Sequence, residues 1–265
     1  MIFKTDNKLL DINENVTVYT DHGEPITLFI SGYVIPTPDK YRFEVDVLQM
    51  NRKHINFSKL LDTEIKKDSV IIKNNSDQTI YVSYKESFSH LDFKVIPEKL
   101  EANKIGKVII TYDAAKRNSY GTFVDKVHLV IKKKDNTIDE NVMIRAEIIE
   151  DFSNLTKEEL ANAPHIIFQK EAIHLGTLNP GTEYPVEFNF KNNGKNDLLI
   201  RNIFYTKGCE LQSYDKIIKP GENGKIKFTI KPIKASDDFQ KVFSVISNDP
   251  NNNTKKLKVL GVVVE

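Results

Sequence analysis

The chain has 265 residues, of which 38 are basic and 37 acidic, so its formal net charge near neutral pH is +1. This balance gives no electrostatic attraction to nucleic acid or to an anionic membrane surface, and neither is expected as a partner. A single cysteine excludes an internal disulfide framework and a zinc site built from several thiolates. No stretch approaches the roughly 20 apolar residues of a membrane helix, and the start, MIFKTDNKLL, lacks the apolar core of a secretory leader.

The first predicted elements are two strands between Asn15 and Ile35, in NVTVYTDHGEPITLFISGYVI. This stretch resembles two later pairs of strands, and its Gly32 takes the place of Gly261 in the last pair. A hairpin of two strands alone is marginal in water. The hairpin therefore leans on the residues that follow, pairs with another chain, or belongs to a longer natural protein, and we favour the longer protein. Membrane contact is expected only through an anchor in such a missing N-terminal segment.

The rest of the chain repeats itself. The stretch INFSKLLDTEIKKDSVIIKNN, which begins at Ile55, matches IHLGTLNPGTEYPVEFNFKNN, which begins at Ile173, at an offset of 173 − 55 = 118 residues. Near the end of each copy the offset becomes 115, where DKVHLVI matches QKVFSVI and VMIRAEII matches LKVLGVVV. Such self-similarity indicates that one structural unit occurs twice.

Both copies alternate apolar and polar residues with a period of two. In GKIKFTIKP, for example, Ile226, Phe228 and Ile230 fall on one face, opposite lysines and a threonine. Short alternating segments separated by turn clusters such as KNNG, KPG and NDP are typical of half-buried antiparallel strands. About seven such strands in roughly 100 residues predict an all-β fold of tandem immunoglobulin-like β-sandwich domains. The paired cysteines and core tryptophan of antibody domains are absent from the sequence.

These patterns divide the chain into four parts. Residues 1–38 are interpreted as the C-terminal hairpin of an incomplete immunoglobulin-like domain. Residues 39–149 and residues 165–265 are each predicted to form an immunoglobulin-like β-sandwich. Residues 150–164, EDFSNLTKEELANAP, break the alternation and predict a short linker helix. In that helix Thr156 and Glu159 have the spacing of a capping box.

The one cysteine raises the question of a reactive thiol. The candidate site residues are Lys207, Gly208 and Cys209. The lysine charge would lower the pKa of the thiol slightly, but no arrangement of histidine and asparagine accompanies the cysteine. The favoured interpretation is a small apolar residue at a strand end. A redox or metal role through Cys209 is kept as an alternative.

The other polar residues predict neither catalysis nor a cofactor. The histidines lack the i, i+4 spacing of a zinc-binding helix, and only His165 and His174 are placed to approach each other. The loops Asp135–Glu140 and Ser247–Asn253 lack the spacing of an EF-hand, and turn formation explains both. The six histidines are His22, His54, His90, His128, His165 and His174.

A carbohydrate-binding or adhesive module is an alternative from a different class. Such sites use exposed aromatic rings as platforms, and because the chain has no tryptophan the candidates are tyrosines. Tyrosines on strands are more often half-buried packing residues, which counts against this use. The candidates are Tyr41, Tyr84, Tyr120, Tyr205 and Tyr214.

An ordered set of short motifs resembles a domain-of-unknown-function family of exported bacterial proteins. The motifs are Leu175-Gly176, Phe190-Lys191-Asn192-Asn193-Gly194, Lys207-Gly208-Cys209-Glu210, Pro220-Gly221, Asn248-Asp249-Pro250 and Gly261. The resemblance covers almost the whole chain and implies immunoglobulin-like repeats related to Hydin-like and major-sperm-protein-like domains. The family pattern has two cysteines flanking a glycine, and Lys207 stands where the first would be. Cys209 is then a remnant of the motif, and any disulfide or metal role of the pair is lost.

The sequence thus predicts a non-enzymatic structural or protein-binding module of the cell envelope, with no cofactor. Strand addition at an exposed sheet edge is one expected mode of binding, and self-association through the N-terminal hairpin is another. The resemblance implies a periplasmic or cell-surface location if the chain is a fragment of an exported precursor. Because the chain itself shows no leader, the cytoplasm is the alternative location.

Overall fold

The computed structural model describes residues 10–18, 26–34, 41–86, 88–134 and 136–264. The first two ranges are the strands β1 (Leu10–Val18) and β2 (Ile26–Val34). They form an antiparallel sheet of two strands without a register shift. Within the described residues each of these strands pairs only with the other, and their assignment to an incomplete domain of residues 1–38 stays a prediction.

The next part of the chain forms two sheets of five strands each. Its elements are β3 (Phe43–Val45), β4 (Leu48–Met50), β5 (His54–Leu61), β6 (Ile65–Asn74), β7 (Ile80–Tyr84), β8 (Leu91–Ile96), β9 (Lys99–Leu100), β10 (Ile105–Asp113), α1 (Ala114–Arg117), β11 (Gly121–Lys132) and β12 (Thr137–Ile149). One sheet has the order β3-β4-β6-β10-β8 and the other the order β5-β12-β11-β7-β9. Side chains from both sheets share one hydrophobic core, so this part is a β-sandwich, called the middle sandwich below.

The last part of the chain is a second sandwich, called the last sandwich below. Its strands are β13 (Ile166–Phe168), β14 (Ala172–Leu178), β15 (Tyr184–Asn192), β16 (Leu198–Tyr205), β17 (Cys209–Tyr214), β18 (Ile217–Ile218), β19 (Asn223–Ile230), β20 (Ser236–Ser247) and β21 (Thr254–Val263). The sheets have the orders β13-β15-β19-β17 and β14-β21-β20-β16-β18, around a core of their own. In both sandwiches the first long strand runs parallel to the last, β5 beside β12 and β14 beside β21.

The period of two decides which side chains enter the cores. Ile226, Phe228 and Ile230 of β19 are buried, as their alternation predicted, and Lys225 between them and the turn is exposed. Phe228 meets Phe243 of the opposite sheet with ring centroids 4.2 Å apart. Burying one such side chain contributes about 1.5–3 kcal/mol through the apolar surface removed from water. The sheets are therefore held together mainly by these inward rows.

A fully buried asparagine holds a turn in each sandwich. Asn192 donates through Nδ2 to the backbone carbonyl oxygens of Asn196 (2.8 Å) and Ile218 (2.9 Å). Its Oδ1 accepts from the backbone N–H of Gly194 (3.0 Å). Asn74, at the matching position of the repeat, makes the equivalent bonds in the middle sandwich. Because buried backbone groups cost free energy when unpaired, each amide replaces the water that these turns would otherwise need.

The helix α2 (Lys157–Ala161) lies between the sandwiches. The Oγ1 of Thr156 accepts from the N–H of Glu159 (3.2 Å), and the Glu159 carboxylate accepts from the N–H of Thr156 (2.8 Å), which is the predicted capping box. The helix is shorter than the predicted linker of residues 150–164, since the residues on either side of it are not helical. Neither helix in the described part of the chain is long and apolar enough to cross a membrane. The domain boundaries given above stay predictions.

Candidate functional site

The candidate thiol is the first residue of β17. Gly208 before it has a left-handed backbone with φ +85°, and its carbonyl oxygen accepts from the N–H of Lys231 at 3.1 Å. The carbonyl oxygen of Lys207 accepts from Nζ of Lys241. Cys209 itself is half-buried against the core of the last sandwich. The contacts of these three candidate residues close the turn between β16 and β17.

The electrostatic setting of the thiol is that of a structural cysteine. Burial raises the pKa of the Cys209 thiol above its ordinary value, although the charge of Lys241 and a hydrogen bond with Thr206 act in the opposite direction. Reactive cysteines instead have a lowered pKa, because the thiolate is the nucleophile and the metal ligand. The redox or metal alternative therefore gains no support from this geometry.

The candidate tyrosines lie on separate elements. Tyr84 packs on Phe93 with ring centroids 4.9 Å apart, and Tyr205 packs on Phe228 at 5.7 Å. Both rings stay partly exposed, Tyr84 at 38% and Tyr205 at 44%, but they belong to different sandwiches, and the carbohydrate-binding alternative gains no platform of adjacent rings from them. The five positions are Tyr41 before β3, Tyr84 at the end of β7, Tyr120 before β11, Tyr205 at the end of β16 and Tyr214 at the end of β17.

The histidines do not assemble a metal site in the part of the chain that the structure describes, where no three His, Cys, Asp or Glu side chains are grouped to hold an ion. His165 contacts Asp249 through Nδ1 at 2.9 Å, and His174 lies exposed on β14. His22 is outside the described residues.

The loop Ser247–Asn253 is built as a turn, as predicted. The carboxylate of Asp249 is fully buried and accepts from the backbone N–H groups of Ile166 (3.1 Å) and Asn251 (3.0 Å). These bonds tie the loop to the start of β13. Asp135, the first residue of the other acidic loop, lies outside the described residues.

A buried charged cluster in the middle sandwich carries no sequence signal. Arg117 at the end of α1 donates through Nη1 to both carboxylate oxygens of Asp125 (2.8 and 2.6 Å). His90 places Nε2 3.1 Å from Asp125 and 2.6 Å from Arg117. The Arg117 guanidinium also lies over the ring of Phe123, 4.0 Å from its centroid. Because these charges bond to one another, the cluster fixes α1 on the sandwich.

Next to this cluster the two sandwiches meet. Arg201 of β16 forms a two-bond pair with Glu150, from Nε at 3.0 Å and from Nη2 at 2.5 Å, a charge-assisted geometry among the stronger hydrogen bonds. The Arg201 guanidinium lies 5.2 Å from the ring centroid of Tyr120, whose hydroxyl donates to Asp62 at 3.0 Å. Burial, the bond to Asp62 and the nearby carboxylates raise the pKa of Tyr120 to about 12.

The apolar half of the junction needs a glycine. Phe123 of the middle sandwich packs edge-on against Phe204 of the last sandwich, with centroids 5.6 Å apart. Gly121 has φ +109°, and a Cβ at this position would lie 2.2 Å from Cε2 of Phe204. Asn202 adds a hydrogen bond to the carbonyl oxygen of Tyr120 at 3.2 Å. The junction therefore combines close packing with paired charges. The alternation of apolar and polar residues along the strands does not predict it, because its residues come from turns and outer faces.

The four large sheets end in eight edge strands, and those of six or more residues are β5, β8, β14 and β17. β5, β14 and β17 each pair with their neighbour through a register shift. Bulges of this kind discourage pairing with a further strand. β8 pairs with β10 without a shift from Leu91 to Ile96. Among these four sheets, β8 is therefore the long edge that has no bulge.

Residues 166–263, which span the last sandwich from β13 to β21, match the family model described as Protein of unknown function (DUF1573). No curated protein matches the chain. A domain of unknown function is thereby confirmed for the last sandwich, and the Hydin-like relationship stays a prediction.

Solved structures support the fold class. A protein of unknown function from Porphyromonas gingivalis is similar with a TM-score of 0.60 and 15% identity, over 82% of this chain and 99% of its own. The E. coli chaperone DraB gives a TM-score of 0.33 at 10% identity, over 80% of this chain and 96% of its own. A structure of titin domains gives a TM-score of 0.26 at 10% identity, over 78% of this chain and 62% of its own. With the sheets described above, the predicted all-β sandwich fold is confirmed.

Proposed function

We propose that this protein is a non-enzymatic structural or protein-binding module of the cell envelope, with two tandem sandwiches held as one body. The observation that carries the proposal is the junction, where the Arg201–Glu150 pair and the packing of Phe123 on Phe204 join the sandwiches. A fixed join holds the sheet edges of both sandwiches in one arrangement, as a binding surface made of several edges requires. Partners are proposed to be proteins, bound by strand addition, with self-association through the N-terminal hairpin as one route.

The tandem arrangement is supported by matching details at the repeat offset. In both sandwiches the first long strand runs parallel to the last strand, and Asn74 and Asn192 hold the same turn. The non-enzymatic assignment is supported by the way charges are used in the middle sandwich, since the half-buried Arg117 and the buried Asp125 pair with each other.

The location is supported by the motif resemblance to exported proteins, and the family match over residues 166–263 agrees with the domain-of-unknown-function part of that resemblance. Fractionation of native cells, probed with an antibody to residues 164–265, tests it. A band in the envelope fraction is the expected result. A band of 30.4 kDa confined to the cytosol contradicts the envelope assignment.

The join between the sandwiches is tested by small-angle X-ray scattering of the double variant Arg201→Gln, Phe204→Ala. Loss of the ion pair and of the ring contact is expected to increase the maximum dimension of the particle. It is also expected to broaden the distribution of distances between the two sandwiches. Lys227→Gln is the matched control, because it removes an exposed ion pair with Glu187 inside the last sandwich. Identical scattering from the double variant and the native protein contradicts the proposed rigid join.

A further inference from the structure

We propose that the edge strand β8 accepts strand β1 from a second copy of this chain. The inference rests on the proposed protein-binding function and names the edge and its occupant.

The backbone of β8 has open hydrogen-bonding groups. The N–H of Asp113 donates to the carbonyl oxygen of His90 at 2.9 Å, which makes these two residues a hydrogen-bonded pair. In an antiparallel ladder bonded and non-bonded pairs alternate, so every second residue after His90 turns its N–H and C=O toward β10. The residues between them, Phe93 and Val95, turn their N–H and C=O away from β10 and toward the free edge. An added strand can bond to these four groups.

The two faces of β8 set the chemistry of that strand. The side chains of Phe93 and Val95 point into the core and are 6% and 7% exposed. Tyr84, which packs on Phe93, remains 38% exposed beside the edge and can cover an incoming apolar side chain. Asp92 and Lys94 are exposed on the other face. The fitting partner is a strand with one apolar and one polar face.

Strand β1 has such a sequence, LDINENVTV. Asp11, Asn13, Asn15 and Thr17 alternate with apolar residues, and Glu14 is the exception. β1 pairs only with β2 in the described chain, so one of its edges is open along nine residues, more than the six of β8. A sheet of two strands is marginal alone, and docking on β8 would enlarge it to a stable size.

Along the chain, the hairpin is joined to the sheet at the edge opposite β8. The hairpin precedes β3, and β3 lies at the opposite edge of the sheet β3-β4-β6-β10-β8. Its own chain would have to cross four strand spacings, roughly 19 Å at 4.7–4.9 Å each, to bring β1 to β8. Between two molecules no such crossing is needed.

Cross-linking of single-cysteine chains tests the contact. In a Cys209→Ser background, one mass-tagged chain carries Asn13→Cys in β1, and an untagged chain carries Lys94→Cys in β8. Treatment of the mixture with a short bismaleimide is expected to give a heterodimer on a denaturing gel. Glu210→Cys, on the bulged edge β17, replaces Lys94→Cys as the matched control and is expected to give none.

Sedimentation equilibrium of the full chain supplies the second readout. Val95→Pro removes an N–H that faces the free edge, where proline is tolerated in an edge strand. Loss of this donor is expected to weaken association about tenfold, since an unmade backbone bond costs on the order of that factor. Leu211→Pro makes the same change on β17 and is expected to leave association unaltered, and circular dichroism verifies that both variants are folded.

The outcomes distinguish a failure of self-association from a failure of the assignment of β8. A native chain that stays monomeric at all concentrations overturns both this inference and self-association. Association that survives Val95→Pro, with cross-links from Asn13→Cys to Glu210→Cys, overturns the assignment of β8 and leaves a self-associating protein.

Discussion

Replacing Asn192 by alanine should strongly destabilise the last sandwich. The side chain is fully buried and makes four hydrogen bonds, with Asn196, Ile218, Gly194 and the backbone N–H of His165. A net contribution of about 1 kcal/mol for each bond gives a loss of about 4 kcal/mol in the free energy of unfolding. The free energy of unfolding of a domain is typically about 5–15 kcal/mol, so a domain at the lower end of this range would lose most of its stability.

Urea unfolding followed by far-ultraviolet circular dichroism is the suitable assay, because the chain has no tryptophan to report by fluorescence. Asn193→Ala is the matched control, since this neighbouring side chain is exposed, and its effect should stay within about 0.5 kcal/mol. Asn74→Ala should destabilise the middle sandwich by a similar amount as Asn192→Ala does the last. A loss below about 1 kcal/mol for both buried positions would refute the hydrogen-bond reasoning.

Three further predictions concern the junction and the thiol. Gly121→Ala should cost more than about 2 kcal/mol in the free energy of unfolding, because φ +109° and the 2.2 Å approach of Phe204 both oppose a Cβ, and adding Phe204→Ala should restore only part of the loss. Because the pKa of Tyr120 is raised from 10.0 to about 12, its stabilising effect should be complete below pH 10 and disappear as the pH rises toward 12, and Tyr120→Phe should flatten this decline in thermal unfolding. A thiol reagent should label Cys209 more slowly than a model peptide at pH 8, and equal rates would show that burial does not raise its pKa.

The strands were predictable because each depends on its own few residues. Alternation in β15 and β19 is enough to place Val186, Phe188 and Ile226 in the core, and the capping box at Thr156 needs only a spacing of three. The repeat also relates backbone conformations that the residue types alone do not reveal. Asn103 and Gly221, one repeat apart, both adopt a left-handed backbone, although only one of them is glycine.

The junction and the open edge could not be predicted in this way. The pair of Glu150 and Arg201 joins residues 51 positions apart, and its partner choice depends on how two folded bodies meet. The exposure of β8 depends on the order of strands in its sheet, which no single segment encodes. The position of Cys209 at a strand end is predictable, and it does begin β17, but its raised pKa follows from packing that the sequence does not display.

The parallel pairing of the first long strand with the last strand has a mechanical consequence. In the middle sandwich the chain enters β5 at His54 and leaves β12 at Ile149, which lie at opposite ends of the paired region. Tension applied at His54 and Ile149 slides these strands past each other, so the hydrogen bonds between them share the load instead of breaking one after another. β14 and β21 repeat the arrangement, and the two sandwiches in series should resist stretching along the chain.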